Sequence, residues 1–187
     1  MFDYIKQMLI DIIINNILKE TALKSDMNHK HACIAINKGC IISPAFHNYM
    51  RSYIFNYKCG CVHAEIAIIN YLINSICKIN QKIKRQTYYR FIHNQQLTNK
   101  QLQIIKKFQK KCSKIDLVII KQSKTATHLG NSRPCCECIK IMKMFKFNKV
   151  YYTNTQGNII IERISKMIGT HKTQIHISFE NNLFSKR

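Results

Sequence analysis

Two short segments carry residue types that could do chemistry together. One is His63-Ala64-Glu65; the other is Pro134-Cys135-Cys136-Glu137-Cys138. Each stands where a helix is expected to begin. Residues i and i+3 of a helix share a face, so Cys135 and Cys138 can converge on one ion from a first turn. Cys136 points about 100° away from Cys135 and is the poorer ligand. Pro134 suits the first helical position, where a missing N–H costs nothing. The positive end of the helix lowers the thiol pKa values and so favours the thiolates a metal needs. With His63 the two sulfurs make three N/S ligands and leave a fourth position open. That soft donor set suits Zn²⁺, and the open position is the mark of catalytic rather than structural zinc.

Glu65 lies two residues from His63, on roughly the opposite side of an ideal helix, and is badly placed as a fourth ligand. Its longer side chain can still arc toward a water at the open position. A carboxylate there would take the proton of a metal-acidified water and hand it to a ring nitrogen. Taken alone these residues are ordinary: a lone His is usually a surface or core residue, and one CxxC can be half a zinc knuckle. Their combination points to metal-assisted hydrolysis.

HAE followed by PCxxC is also the H-x-E…P-C-x-x-C signature of zinc deaminases. The chain resembles the cytidine/deoxycytidylate deaminase superfamily over about residues 30–165, with HAEIAIINYL, NSRPCCECIK and KVYYTN adding to the likeness. The resemblance implies hydrolytic deamination of an aminopyrimidine or aminopurine ring, with His63, Cys135 and Cys138 holding zinc and Glu65 shuttling protons. It implies that the backbone N–H groups of Ala64 and Cys135 hydrogen-bond the base and the tetrahedral intermediate, and that Asn48 contacts the sugar. It also implies self-association into homo-oligomers, since members of that family often complete each other's pockets. The long 66–134 interval departs from the family pattern and leaves the substrate class open. The expected function is a zinc-dependent hydrolytic deaminase of a cytosine-type nucleoside or nucleotide. A deaminase of single-stranded nucleic acid or tRNA is the alternative. A non-catalytic, zinc-stabilised nucleic-acid-binding module is a third reading, and such a module has no need of Glu65.

The surrounding pattern predicts the elements that position these groups. Phe2, Ile5, Leu9, Ile12, Ile13 and Leu23 fall near helical spacing, so residues 2–24 read as an amphipathic helix. His31 to Ile36, a Lys38-Gly39 turn and Cys40 to Ser43 read as a hairpin. Polar and aromatic residues 44–61 read as a loop over a functional face. In that loop Tyr49, Tyr53, Phe55 and Tyr57, with Arg51 and Lys58, could stack bases and hold phosphate. A second helix is expected over Val62 to Cys77. Asp116 to Lys121 reads as a buried strand, Cys135 to Phe147 as a helix and Lys149 to Thr153 as a strand. The turn Thr155 to Asn158 leads into Ile159 to Ile164, expected to pair antiparallel, and Gln174 to Phe179 reads as a weaker last strand. This order describes an α/β, three-layer, cytidine-deaminase-like fold with a central mixed sheet of about five strands flanked by helices.

At about 150 residues per domain, the 187-residue chain reads as a single domain over 1–187, with residues 78–114 as a basic insertion. That segment loses periodic order, holds only a hint of a helix at Leu102, Ile105 and Phe108, and contains no Asp or Glu. Across the chain 30 Lys+Arg oppose 9 Asp+Glu, a net +21. Two readings stay open: a footprint for nucleotides or nucleic acid, or drift toward a Lys-, Asn- and Ile-rich composition. Nine cysteines, an odd number, occur without a secretory signal. The first apolar stretch is broken by Asp3, Lys6, Asp11, Asn15, Asn16 and Lys19, so no membrane span is expected. A soluble, cytoplasmic chain follows, its thiols serving as metal ligands or core fillers rather than disulfides. Cys59 and Cys61 could join a second metal site with Cys77 or Cys112, complete a four-cysteine site with Cys135 and Cys138, or be plain thiols. Cys33 and Cys40 are expected in the core.

Overall fold

The computed structural model describes residues 2–54, 57–76, 81–123, 125 and 127–170. The chain opens with α1 (Phe2–Ile13), runs through a π-helical turn (Ile14–Leu18) and continues as α2 (Lys19–Leu23). Strand β1 (Lys30–Asn37) turns into β2 (Cys40–Ile41) through Lys38 and Gly39, which both have positive φ, as a two-residue hairpin turn requires. Next come β3 (Phe46–His47) and the hairpin β4 (Tyr49–Ile54) and β5 (Tyr57–Val62). Three helices follow: α3 (Ala64–Ile76), α4 (Gln81–Ile92) and α5 (Asn99–Cys112). The chain then forms β6 (Ile115–Gln122), β7 (Leu129–Gly130), α6 (Cys136–Met144), β8 (Lys149–Thr153), β9 (Ile159–Arg163) and a 3-10 turn (Ile164–Lys166).

The main sheet has the order β2-β1-β6-β8-β9, with β3 added to β1 and β7 to β6. It is mixed: β6 runs antiparallel to β1, from Lys30↔Gln122 to Asn37↔Ile115, and parallel to β8. β8 and β9 pair antiparallel across the predicted turn. Successive strand residues face opposite sides of a sheet, and here the alternation builds two cores. Ala32, Ile34 and Ile36 of β1, Val118 and Ile120 of β6 and Tyr151 of β8 pack with Ile10, Ile13, Ile14 and Leu18 of the first helical run. Cys33, Ala35, Leu117, Ile119, Val150 and Tyr152 face the other way, onto α3, α4, α5 and α6. The expected α/β arrangement of helices, mixed sheet and helices is what the chain forms.

Several local readings are corrected. Residues 44–61 are largely strand, because Tyr49 pairs with Val62 and Met50 with Cys61, so the hairpin satisfies its own backbone. Of the aromatic–basic cluster expected there, Phe55 lies outside the described residues, as do the side chains of Arg51, Tyr53, Tyr57 and Lys58. The basic 78–114 segment, expected to hold only a hint of a helix, is largely helical where described. It forms α4 and α5, and Tyr88, Ile105, Phe108 and Cys112 are buried in the larger core. Cys40 is exposed rather than core, because β2 lies at the sheet edge, while Cys33 is buried as expected. The last expected strand, Gln174 to Phe179, lies outside the described residues.

Candidate metal centre

Two helix beginnings meet beside one end of the sheet. Val62 ends β5 and the chain turns at once into α3, so His63 sits at the helix boundary, its carbonyl accepting the N–H groups of Ile66 and Ala67 at 3.0 Å each. Cys135 is the N-cap of α6, with φ −71° and ψ 165°, and its carbonyl accepts the Ile139 N–H at 3.0 Å. Pro134 therefore precedes the cap instead of opening the helix. An N-cap side chain folds back over the first turn toward the third helical residue, which here is Cys138. The two sulfurs converge as cap and third residue, not as two members of one helical face.

The loop before Cys135 is tied down on both sides. Ser132 Oγ donates to the Ile119 carbonyl at 2.8 Å and accepts the Thr153 N–H at 2.8 Å. Arg133 reaches Glu162 Oε2 at 3.2 Å and the Ile168 carbonyl at 2.8 Å, while the Tyr152 hydroxyl donates to the other Glu162 oxygen. Partial burial raises the Glu162 pKa, but the hydrogen bonds from Tyr152 and Arg133 outweigh it and leave the carboxylate below its ordinary value. Gly169 packs against the start of α6 so closely that an added Cβ would lie 2.5 Å from the Cys136 Cβ.

The His63 Nδ1 lies 3.3 Å from Cys138 Sγ and 3.5 Å from Cys135 Sγ, and all three ligand atoms lie within 4.8 Å of one another. Tetrahedral angles with Zn–S of about 2.3 Å and Zn–N of about 2.05 Å give an N···S edge of about 3.6 Å. The observed spacing is that of donors around one small ion. Among the described residues this is the one group of three or more such side chains able to share a metal. Cys136 is outside it, as its helical position predicts, and so are Glu65, Cys61 and Cys112. The four-cysteine arrangement is therefore not formed among the described residues; Cys77 and the Cys59 side chain lie outside them.

Electrostatics at the centre are those of donors gathered for a cation. Cys135 is held as a thiolate, its pKa lowered to about 3 by a hydrogen bond from the Cys138 thiol, which outweighs burial, and by the His63 ring. Burial pulls the His63 pKa down, but hydrogen bonds to Cys135 and Cys61 and the charge of Glu65 overcome it and raise it to about 11. Cys138 is raised because its thiol serves Cys135 and because it is buried. Glu65 is buried, 3% exposed, with its carboxyl against the Cys138 thiol. Desolvation raises its pKa against the opposing charge of His63. A carboxyl so placed lies within reach of the three donors and can exchange protons with a water held beside them.

The remaining site residues fall in two groups. Ala64 is buried at the first position of α3, where a backbone N–H has no intrahelical acceptor. Asn48 is also buried, but its amide is committed to the backbone: Oδ1 accepts the His31 N–H at 2.7 Å, and Nδ2 donates to the His29 carbonyl at 2.6 Å. It ties the start of β1 to the segment before β4. Cys61, weighed in the sequence only for other metal sites, puts its thiol against the His63 ring. Sequence reasoning missed Arg133, Tyr152 and Glu162, which anchor the loop to Cys135 and leave no local pattern. No protein-family model and no curated protein matches the chain. No helix among the described residues is long and apolar enough to cross a membrane.

Proposed function

We propose that the chain is a zinc-dependent hydrolytic deaminase of a cytosine-type nucleoside or nucleotide. The observation that carries this reading is the three-donor centre of His63, Cys135 and Cys138 with the buried carboxyl of Glu65 at its edge. A structural zinc site is closed by four protein ligands, and it needs no carboxyl in a dry pocket beside it.

Zinc in such a site supplies Lewis acidity that makes a water molecule a nucleophile near neutral pH. His63 and the two cysteines would hold the ion through one nitrogen and two sulfurs. Glu65 accepts the first proton of the attacking water on a carboxylate oxygen and passes it to the adjacent ring nitrogen. It then takes the remaining proton from the hydroxyl now on the ring carbon and delivers it to the departing amine, so that one C–O bond forms, one C–N bond breaks and ammonia leaves. The Ala64 and Cys135 N–H groups, at the beginnings of two helices, offer hydrogen bonds to the developing negative charge.

The test is direct. Zinc-loaded protein is incubated with cytidine, deoxycytidine, their monophosphates, adenosine and short single strands, and ammonia and product are followed. Glu65→Ala should keep its metal and lose ammonia release by at least about a hundredfold. A metal-loaded wild type that releases no ammonia from any of these substrates leaves a zinc-stabilised binding module. The net charge of +21 favours phosphorylated members of the panel, including single strands.

A further inference from the structure

The end of the sheet opposite the metal centre carries two adjoining basic pockets. The first, about 870 Å³, lies between α3 and α5 and is walled by Lys107, Lys110, Lys111 and Lys114, over a floor that includes the half-buried Ile42 and Ile76. The second, about 430 Å³, lies beyond the turn into β6 and is walled by Lys143, Lys146 and Arg163, with Ser113 and Phe147 between them. The pockets meet there: Ser113 and Lys114 are consecutive, and the Asn148 N–H of the second donates to the Ile115 carbonyl of the first at 3.0 Å. Among the described residues no acidic one lines either pocket. Among the described residues the ion pairs involve Lys24, Arg133 and Lys140, none of these seven cations.

A bound anion would relieve this crowding, because like charges three and four residues apart on a helix repel. Lys107, Lys110 and Lys111 have that spacing, and Lys111 crosses the groove to donate to the Ile76 carbonyl at 3.2 Å. The opposite pole is well separated. Ser75 of the first pocket is twelve residues along α3 from His63, about 18 Å at 1.5 Å per residue.

We infer that this basic edge binds single-stranded nucleic acid, its cations tracking the phosphates across both pockets while the apolar floor receives unpaired bases. A small nucleotide would fill one pocket and leave the other unused. A duplex would present no bases to the floor. The inference does not rest on the metal triad, so its failure leaves the deaminase reading untouched.

The test is fluorescence anisotropy of a labelled 20-nucleotide single-stranded RNA with the full-length, metal-loaded protein over a range of salt. Seven contacts predict a slope of log K against log salt near −5, from about −0.7 per phosphate contact. The triple variant Lys107→Gln, Lys110→Gln, Lys143→Gln should bring the slope to about −3 and weaken binding more than tenfold at physiological salt. Lys107→Gln and Lys143→Gln alone should each move it by about 0.7, which keeps the test valid should the triple variant fail to fold. A control triple, Lys19→Gln, Lys24→Gln, Lys121→Gln, removes equal charge elsewhere and should leave the slope within error. Equal losses in both triples would mean diffuse charge attraction and overturn the inference. So would CTP competing as well as the strand at equal phosphate concentration, or no binding at low salt.

Discussion

Metal binding at the centre should release two protons from the protein at pH 6. In the metal-free state Cys135 is already a thiolate, with its pKa lowered to about 3, and contributes none. Cys138 is raised and carries its proton, and His63, raised to about 11, is an imidazolium whose Nδ1 must lose a proton before it can coordinate. Each coupled proton adds one log unit of affinity per pH unit, so apparent affinity should rise about a hundredfold, or about 2.7 kcal/mol, per pH unit between pH 5 and 7. The sign follows from the pKa order: both groups are protonated below their raised values, so acid opposes the metal. Isothermal titration with Zn²⁺ in buffers of different ionisation enthalpy counts the protons. Performing it in Glu65→Gln removes any contribution from that carboxyl, and pH 6 keeps an acidified water, whose pKa in open zinc sites is about 7, mostly out of the count. A release near zero would refute the assignment of these donors and their charge states.

Phe108 is fully buried and lies edge-on to Tyr88 at 5.4 Å and Phe145 at 5.3 Å. Phe108→Ala should therefore cost about 3–5 kcal/mol and lower the thermal midpoint by roughly 6–20 °C, while Lys106→Ala on the exposed side of α5 stays within about 0.5 kcal/mol; similar small shifts in both would contradict the packing of the basic segment. Gly169→Ala forces a methyl against Cys136 and should destabilise by about 1–3 kcal/mol and weaken metal retention in a chelator competition, and wild-type behaviour in both assays would rule out the close approach.

The donor triad was legible because its spacing is local: CxxC and HxE each sit within one helical turn, and only the meeting of the two helix starts is a tertiary fact. The middle strands were legible for a similar reason. Leu117 to Ile120 and Val150 to Tyr152 are apolar without interruption, as strands covered on both faces must be. Residues 44–61 were not, because Pro44, Gly60 and interspersed polar side chains resemble turn chemistry, and the hairpin is held by its pairing register. In 78–114 the lysines obscured the period, since Lys106, Lys107, Lys110 and Lys111 are interspersed among Ile105, Phe108 and Cys112 of α5. One signal was present there and unread: Thr98-x-x-Gln101 forms a capping box, the Thr98 hydroxyl accepting the Gln101 N–H and the Gln101 side chain accepting the Thr98 N–H. The Arg133–Glu162 pair spans 29 residues and Tyr152–Glu162 spans 10, separations over which no periodicity operates.

His63 and Cys135 are 72 positions apart, and α3 to α5 and the middle strand β6 lie between them. A bound ion would therefore close a long loop of the chain, and a chelator that strips it should loosen the span the loop encloses.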